Sequence, residues 1–92
     1  MKLIRATVRI KGVVQGVNFR YFTQRTALEH NLTGYVRNLP NGDVEAIFEG
    51  RESGVRKVLD WCRQGPSAAH VNELLIDWED YRGEYDEFRV MR

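Results

Sequence analysis

An α+β sandwich is the fold this sequence predicts, and three observations predict it. The chain opens on a strict alternation of apolar and polar residues. Two later segments carry helical signals. Between them lie two strand-like runs joined by Asn41-Gly42, a dipeptide typical of tight hairpins.

The elements follow in order. Ile4, Ala6, Val8 and Ile10 alternate with Arg5, Thr7, Arg9 and Lys11, so the first strand has one buried face and one wet face. A glycine-containing loop follows. A helix then runs from about Arg20 to His30, with Phe22, Thr26, Ala27 and His30 as its expected inward stripe. Leu28 lies off that stripe. Asn31 suits the left-handed position after the helix. Thr33 to Asn38 reads as the second strand and Leu39-Pro40-Asn41-Gly42 as the turn. In the third strand Val44, Ala46 and Phe48 alternate with Glu45, Ile47 and Glu49, and Gly50 ends it. Val55, Val58, Leu59 and Cys62 fall at i, i+3, i+4 and i+7 of a second helix, which Gly65-Pro66 stops. Val71 to Trp78 forms a fourth strand, where Leu74-Leu75-Ile76 breaks the alternation and suggests a bulge. Phe88 and Val90 mark a short last segment. The order β-α-β-β-α-β, closed by right-handed crossovers, gives a ferredoxin-like sandwich: an antiparallel sheet with two helices on one face.

Length and charge narrow the function. The chain has 92 residues, which makes residues 1–92 one domain with a small core and little room for a large cofactor. A net charge of +1 lacks the basic excess of a nucleic-acid or anionic-membrane binder. No apolar run approaches a membrane span, and the N-terminus has no signal-peptide pattern. The lone Cys62 has no disulfide partner within the chain and suits a reduced, cytoplasmic thiol.

The chemistry concentrates in Gly12-Val13-Val14-Gln15-Gly16-Val17-Asn18-Phe19-Arg20. Gly12 and Gly16 permit bends that a Cβ forbids. A turn entering a helix start gathers backbone N–H groups that lack helical acceptors, and the helix dipole adds positive potential there. Backbone groups of Val14, Gln15, Gly16, Val17, Asn18 and Phe19 can therefore cradle a phosphate, and Arg20 offers a planar charged fork for its oxygens. The loop is neither a Walker A sequence nor a dinucleotide fingerprint. On loop chemistry alone an ordinary connection with a solvated Arg20 competes evenly.

These residues resemble the acylphosphatase family. Gly12, Val14, Gln15, Gly16, Val17, Phe19 and Arg20 fill its first signature. Gly34, Tyr35, Val36, Arg37, Asn38, Gly42, Val44 and Gly50 fill the second. The resemblance spans essentially the whole chain. It implies the same fold with sheet order 4-1-3-2 and hydrolysis of acyl phosphates to carboxylate and inorganic phosphate. It assigns phosphate binding to Arg20 and positioning of the attacking water to Asn38, with no cofactor and no metal. Without the resemblance, Asn38 also reads as a residue entering a turn. The expected enzyme is a cytoplasmic monomer whose partner is a small acyl phosphate, with no nucleic acid or membrane.

Other features have plainer readings. His30 and His70 lack acidic or nucleophilic partners. Cys62 is expected in the core, and no cluster has metal-ligand spacing. Asp77 to Glu87 reads as a solvated charge run, and Trp61, Trp78, Tyr81 and Tyr85 as half-buried packing. Gln15 is expected to support the loop without a catalytic role. The competing function is a binding module on the same fold. An RNA-recognition version is disfavoured because the third strand, Asp43 to Glu49, is acidic and lacks a stacking pair. A carbamoyl-phosphate-handling domain of a larger enzyme is the nearer alternative.

Overall fold

The computed structural model describes residues 2–92. Seven elements succeed one another: β1 (Leu3–Val13), α1 (Phe19–Glu29), β2 (Thr33–Asn38), β3 (Val44–Arg51), α2 (Glu52–Cys62), β4 (His70–Asp80) and β5 (Phe88–Met91). They form one sheet of order β4-β1-β3-β2-β5. The expected 4-1-3-2 order is present, and every pair within it is antiparallel. The short last segment extends the sheet beyond β2, and there the pairing is parallel, so the whole sheet is mixed.

Helix-facing side chains of the sheet build the core. Ala6, Val8 and Ile10 of β1, Val36 of β2, and Val44, Ala46 and Phe48 of β3 are all fully enclosed. Val55, Val58, Leu59 and Cys62 of α2 meet them, as their spacing predicts. Burial pushes the Cys62 thiol well above its ordinary range, so it packs as a small apolar group.

In α1 the expected stripe is corrected by one step of phase. Phe19, Thr23 and Ala27 face the core, while Phe22 is exposed and Thr26 and His30 are only partly covered. The helix starts one residue earlier than expected, and Phe19 is the aromatic that anchors it against Trp61. Buried Thr23 tolerates its site because its hydroxyl donates to Phe19 O at 2.8 Å. Asn31 takes the left-handed conformation expected of it, at φ 56°.

The suspected bulge at Leu74–Ile76 is also corrected. That stretch pairs regularly with β1, and the register shifts instead opposite Lys11/Gly12, leaving Asn72 as the extra residue.

The far side of the sheet is not uniformly wet. Arg5 is 5% exposed and Glu49 1%. Residues 81–87 cross that face, and Glu49 accepts three of their backbone N–H groups, from Arg82, Gly83 and Glu84, at 2.9–3.2 Å. Arg5 sits among Glu84 at 2.6 Å, Glu79 at 3.2 Å and Glu49 at 3.5 Å. Part of the acidic stretch thus closes a buried charge cluster.

Candidate active site

Strand direction decides which residues meet. Both β1 and β2 run antiparallel to β3, so they are parallel to each other, and β5 is parallel to β2. The C-terminal ends of these three strands therefore lie at one edge of the sheet. Ile10, Val44 and Asn38 share a single rung across β1, β3 and β2. The loop leaves β1 just past that rung, and α1 begins where the loop ends.

A cleft of about 420 Å³ opens at this edge. Val14, Gly16, Asn18, Phe19 and Arg20 form its loop wall, and Asn38 faces them from the end of β2. The structure thus brings Arg20 and Asn38, 18 residues apart in sequence, into one concavity. Gln15 and Val17 do not line it: Gln15 turns to the β2–β3 hairpin, and Val17 packs toward the core.

The loop backbone fits an anion. Gly16 and Asn18 hold left-handed conformations, at φ 75° and 63°. Consecutive bends of this kind turn successive N–H groups inward. The first hydrogen bond of α1 is Phe22 N–H to Asn18 O, so the N–H groups of Phe19, Arg20 and Tyr21 have no helical acceptor. The N–H groups of residues 15–18 make no turn hydrogen bond either, among the described residues. The helix dipole adds positive potential at the same point.

Each side chain has a physical setting. Arg20 donates from Nη1 to Met91 O at 2.9 Å, which holds one arm of the guanidinium and leaves the rest of the fork for the cleft. Asn38 follows Val36 by two residues, so it shares the helix-covered face of β2. Its Oδ1 is buried and has no hydrogen-bond partner. A buried acceptor without a partner is costly, and the residue that carries it lines the cleft opposite the loop. The side chain is available to a water or a substrate. Among the described residues no carboxylate, thiol or histidine side chain lines the cleft, and no three His, Cys, Asp or Glu side chains converge as a metal site would require.

The sequence reading missed the far wall. Tyr21 and Gln24 of α1 line the cleft together with Val90 and Arg92. Gln24 donates to Phe88 O at 3.0 Å, so α1 pins both ends of β5. A signal existed: Phe88 and Val90 alternate onto the core face, and two residues further falls Arg92. What the pattern lacked was the partner of β5.

Comparison with known proteins adds an independent line. The family model described as Acylphosphatase matches residues 6–90. An acylphosphatase of Syntrophus aciditrophicus is 54% identical over 87 residues, 95% of this chain and 91% of that one. An acylphosphatase of Geotalea uraniireducens is 51% identical and covers 95% and 96%. Among solved structures, an acylphosphatase from Coxiella burnetii superposes with a TM-score of 0.92 at 33% identity, over 98% of this chain and 94% of that one.

Proposed function

The chain belongs to the acylphosphatase family, and we propose that it hydrolyses the carboxyl–phosphate bond of acyl phosphates in the cleft between the Gly12–Arg20 loop and Asn38. The loop N–H groups and the free arm of Arg20 bind the phosphoryl oxygens. They bind more strongly as charge gathers there in the transition state. Asn38 holds the attacking water through Oδ1, its amide N–H₂ remaining as a second contact. Water attacks phosphorus, the P–O bond to the acyl group breaks, and a carboxylate departs. The water's protons end on the phosphate product. A carboxylate is a good leaving group, so no general acid is required, and the work is neutralisation and alignment.

One observation carries this reading: Asn38, whose buried Oδ1 has no partner, lines the same cleft as a loop whose N–H groups are also unspent. The reading extends to a metal-independent reaction, because the cleft offers two arginines and no acidic ligand set. It extends also to a monomer, and to a reducing, cytoplasmic setting that the buried, unpaired Cys62 suits. No helix among the described residues is long and apolar enough to cross a membrane.

The test is a comparison of substrates. Acetyl and benzoyl phosphate should be hydrolysed, with inorganic phosphate competing and a chelator leaving the rate unchanged. An alkyl phosphate, whose leaving group is a poor alkoxide, should be nearly untouched. Equal turnover of both classes, or loss of activity with EDTA and its return with a divalent ion, would refute the reading.

A further inference from the structure

We propose that Gln15 is a positioning residue for this hydrolysis: its side-chain amide locks the turn that carries Asn38 to the loop that carries the phosphoryl group. It thereby sets the distance from the held water to phosphorus. The inference rests on the reading of Asn38 given above. Gln15 Nε2 donates to Leu39 O and to Asp43 O, both at 2.8 Å. Leu39 directly follows Asn38 and opens the turn; Asp43 closes it. Both amide hydrogens are therefore committed to the hairpin and neither to the loop's own backbone. The amide orientation is unambiguous, because Oε1 in that place would face two carbonyl oxygens.

The two carbonyls do not depend on Gln15 for satisfaction. Leu39 O already accepts from Gly42 N–H at 3.1 Å, and Asp43 O from Leu39 N–H at 2.8 Å. The turn is braced independently by Asp43 N–H to Asn41 Oδ1 at 3.0 Å and by Lys11 Nζ to Asp43 Oδ2 at 2.8 Å. It would keep its shape without Gln15. What it would lose is its tie to the loop. The β1–β3 and β2–β3 ladders both end at the Val44 rung, so no strand pairing joins loop to turn beyond it. Lys11 ties the end of β1 to Asp43, but the loop beyond Gly12 is joined to the turn by the Gln15 side chain alone, and these two halves of the site must agree to a fraction of an ångström. A misplacement of about 1 Å costs on the order of 10²-fold in rate.

The experiment uses Gln15→Met, of similar length but without donors, and Gln15→Glu, which cannot donate when ionised. Each is made in the wild-type chain and in Asn38→Ala. On benzoyl phosphate, kcat of Gln15→Met should fall about tenfold or more. Inhibition by inorganic phosphate should stay within about twofold. In the Asn38→Ala background the same change should cost nothing further, since there is no water-holding group left to misplace. Gln15→Glu should regain rate as pH falls and its carboxyl protonates into a donor, a response that a packing role would not produce. Undiminished kcat in Gln15→Met, or losses that multiply in the double variant, would overturn the proposal. Should Gln15→Met not fold, a Gln15→Glu profile parallel to wild type overturns it instead. Full kcat in Asn38→Ala alone removes the water-holding reading and this inference together, whereas full kcat in Gln15→Met beside a slow Asn38→Ala removes only the inference.

Discussion

Replacing Asn38 by alanine should make the protein slower without making it less stable. Most truncations of a partly buried polar residue break an internal hydrogen bond and destabilise by about 1 kcal/mol. Here Oδ1 has no internal partner, so nothing of that kind is lost. The folded state instead sheds a buried acceptor whose desolvation costs about 1–3 kcal/mol. Against this stands the lost packing of a small side chain at a strand end, which is of similar or smaller size. The melting temperature should therefore hold or rise. The rate should move the other way. Removing one preorganised polar contact to a developing transition state costs about 2.7–4 kcal/mol, or 10²–10³ in kcat. Phosphate inhibition should stay near wild type, because the loop and Arg20 remain. Stopped-flow or absorbance assays on benzoyl phosphate, phosphate inhibition and a thermal melt on one sample measure all three. A folded Asn38→Ala protein with undiminished kcat would refute the reasoning. So would a clear drop in melting temperature with an unchanged rate per folded molecule, since that result assigns Asn38 to the turn.

Arg20→Lys should be strongly impaired in both phosphate affinity and rate, with the fold intact by circular dichroism. Lysine keeps the charge but cannot hold Met91 O and a phosphoryl oxygen with one rigid fork. Wild-type phosphate affinity in the variant would place the anion elsewhere. Glu49→Ala should destabilise by about 3 kcal/mol, near the lower end for breaking a buried charge pair, because Arg5 retains Glu84 and Glu79. Denaturant midpoints check this, and a change under 1 kcal/mol would show the cluster to be solvated. Tyr35 should ionise late, at about 12, because burial and then its hydrogen bond to Glu45 favour the neutral phenol. The folded value lies above the unfolded one, so the stability it contributes is complete below about pH 10 and is lost as pH rises toward 12. Spectrophotometric titration should lose this late step in Tyr35→Phe.

The fold was legible wherever burial follows a simple period. Strand alternation in residues 4–10 and the i, i+3, i+4, i+7 set of α2 put the right side chains inside. It was less legible in α1, where phenylalanines at 19 and 22 offer two helical phases and the correct one buries Thr23. A threonine satisfied by its own helix is invisible to a pattern of hydrophobicity. Arg5 and Glu49 were illegible for the opposite reason. Their burial depends on a connection more than 30 residues away in sequence folding over them, and each looks like a surface residue until its partners arrive. That the loop and Asn38 share one cleft could be expected from motif spacing, because the family signatures place these residues at fixed offsets. The far wall carried no such motif.

The buried cluster and the cleft belong to one argument about how a small chain fixes its reactive edge. Three strand ends must hold position there, and each is held by a different device. The loop after β1 is fastened by Gln15 to the hairpin that follows β2. The end of β2 is fixed by its ladder with β3 up to the Asn38–Val44 rung. β5 is the difficult case: it has four residues and one strand neighbour, too little to hold itself. Its approach is fixed by Glu49, which ties down Arg82, Gly83 and Glu84 just before β5 begins. Gln24 and Arg20 then grip Phe88 O and Met91 O from α1. The contact that orients Arg20 is thus made to a strand whose entry is set by a carboxylate on the opposite face of the sheet. A buried charge is an expensive way to anchor seven residues of connection. It is understandable here because that connection delivers the backbone oxygen that holds one arm of Arg20 at the cleft.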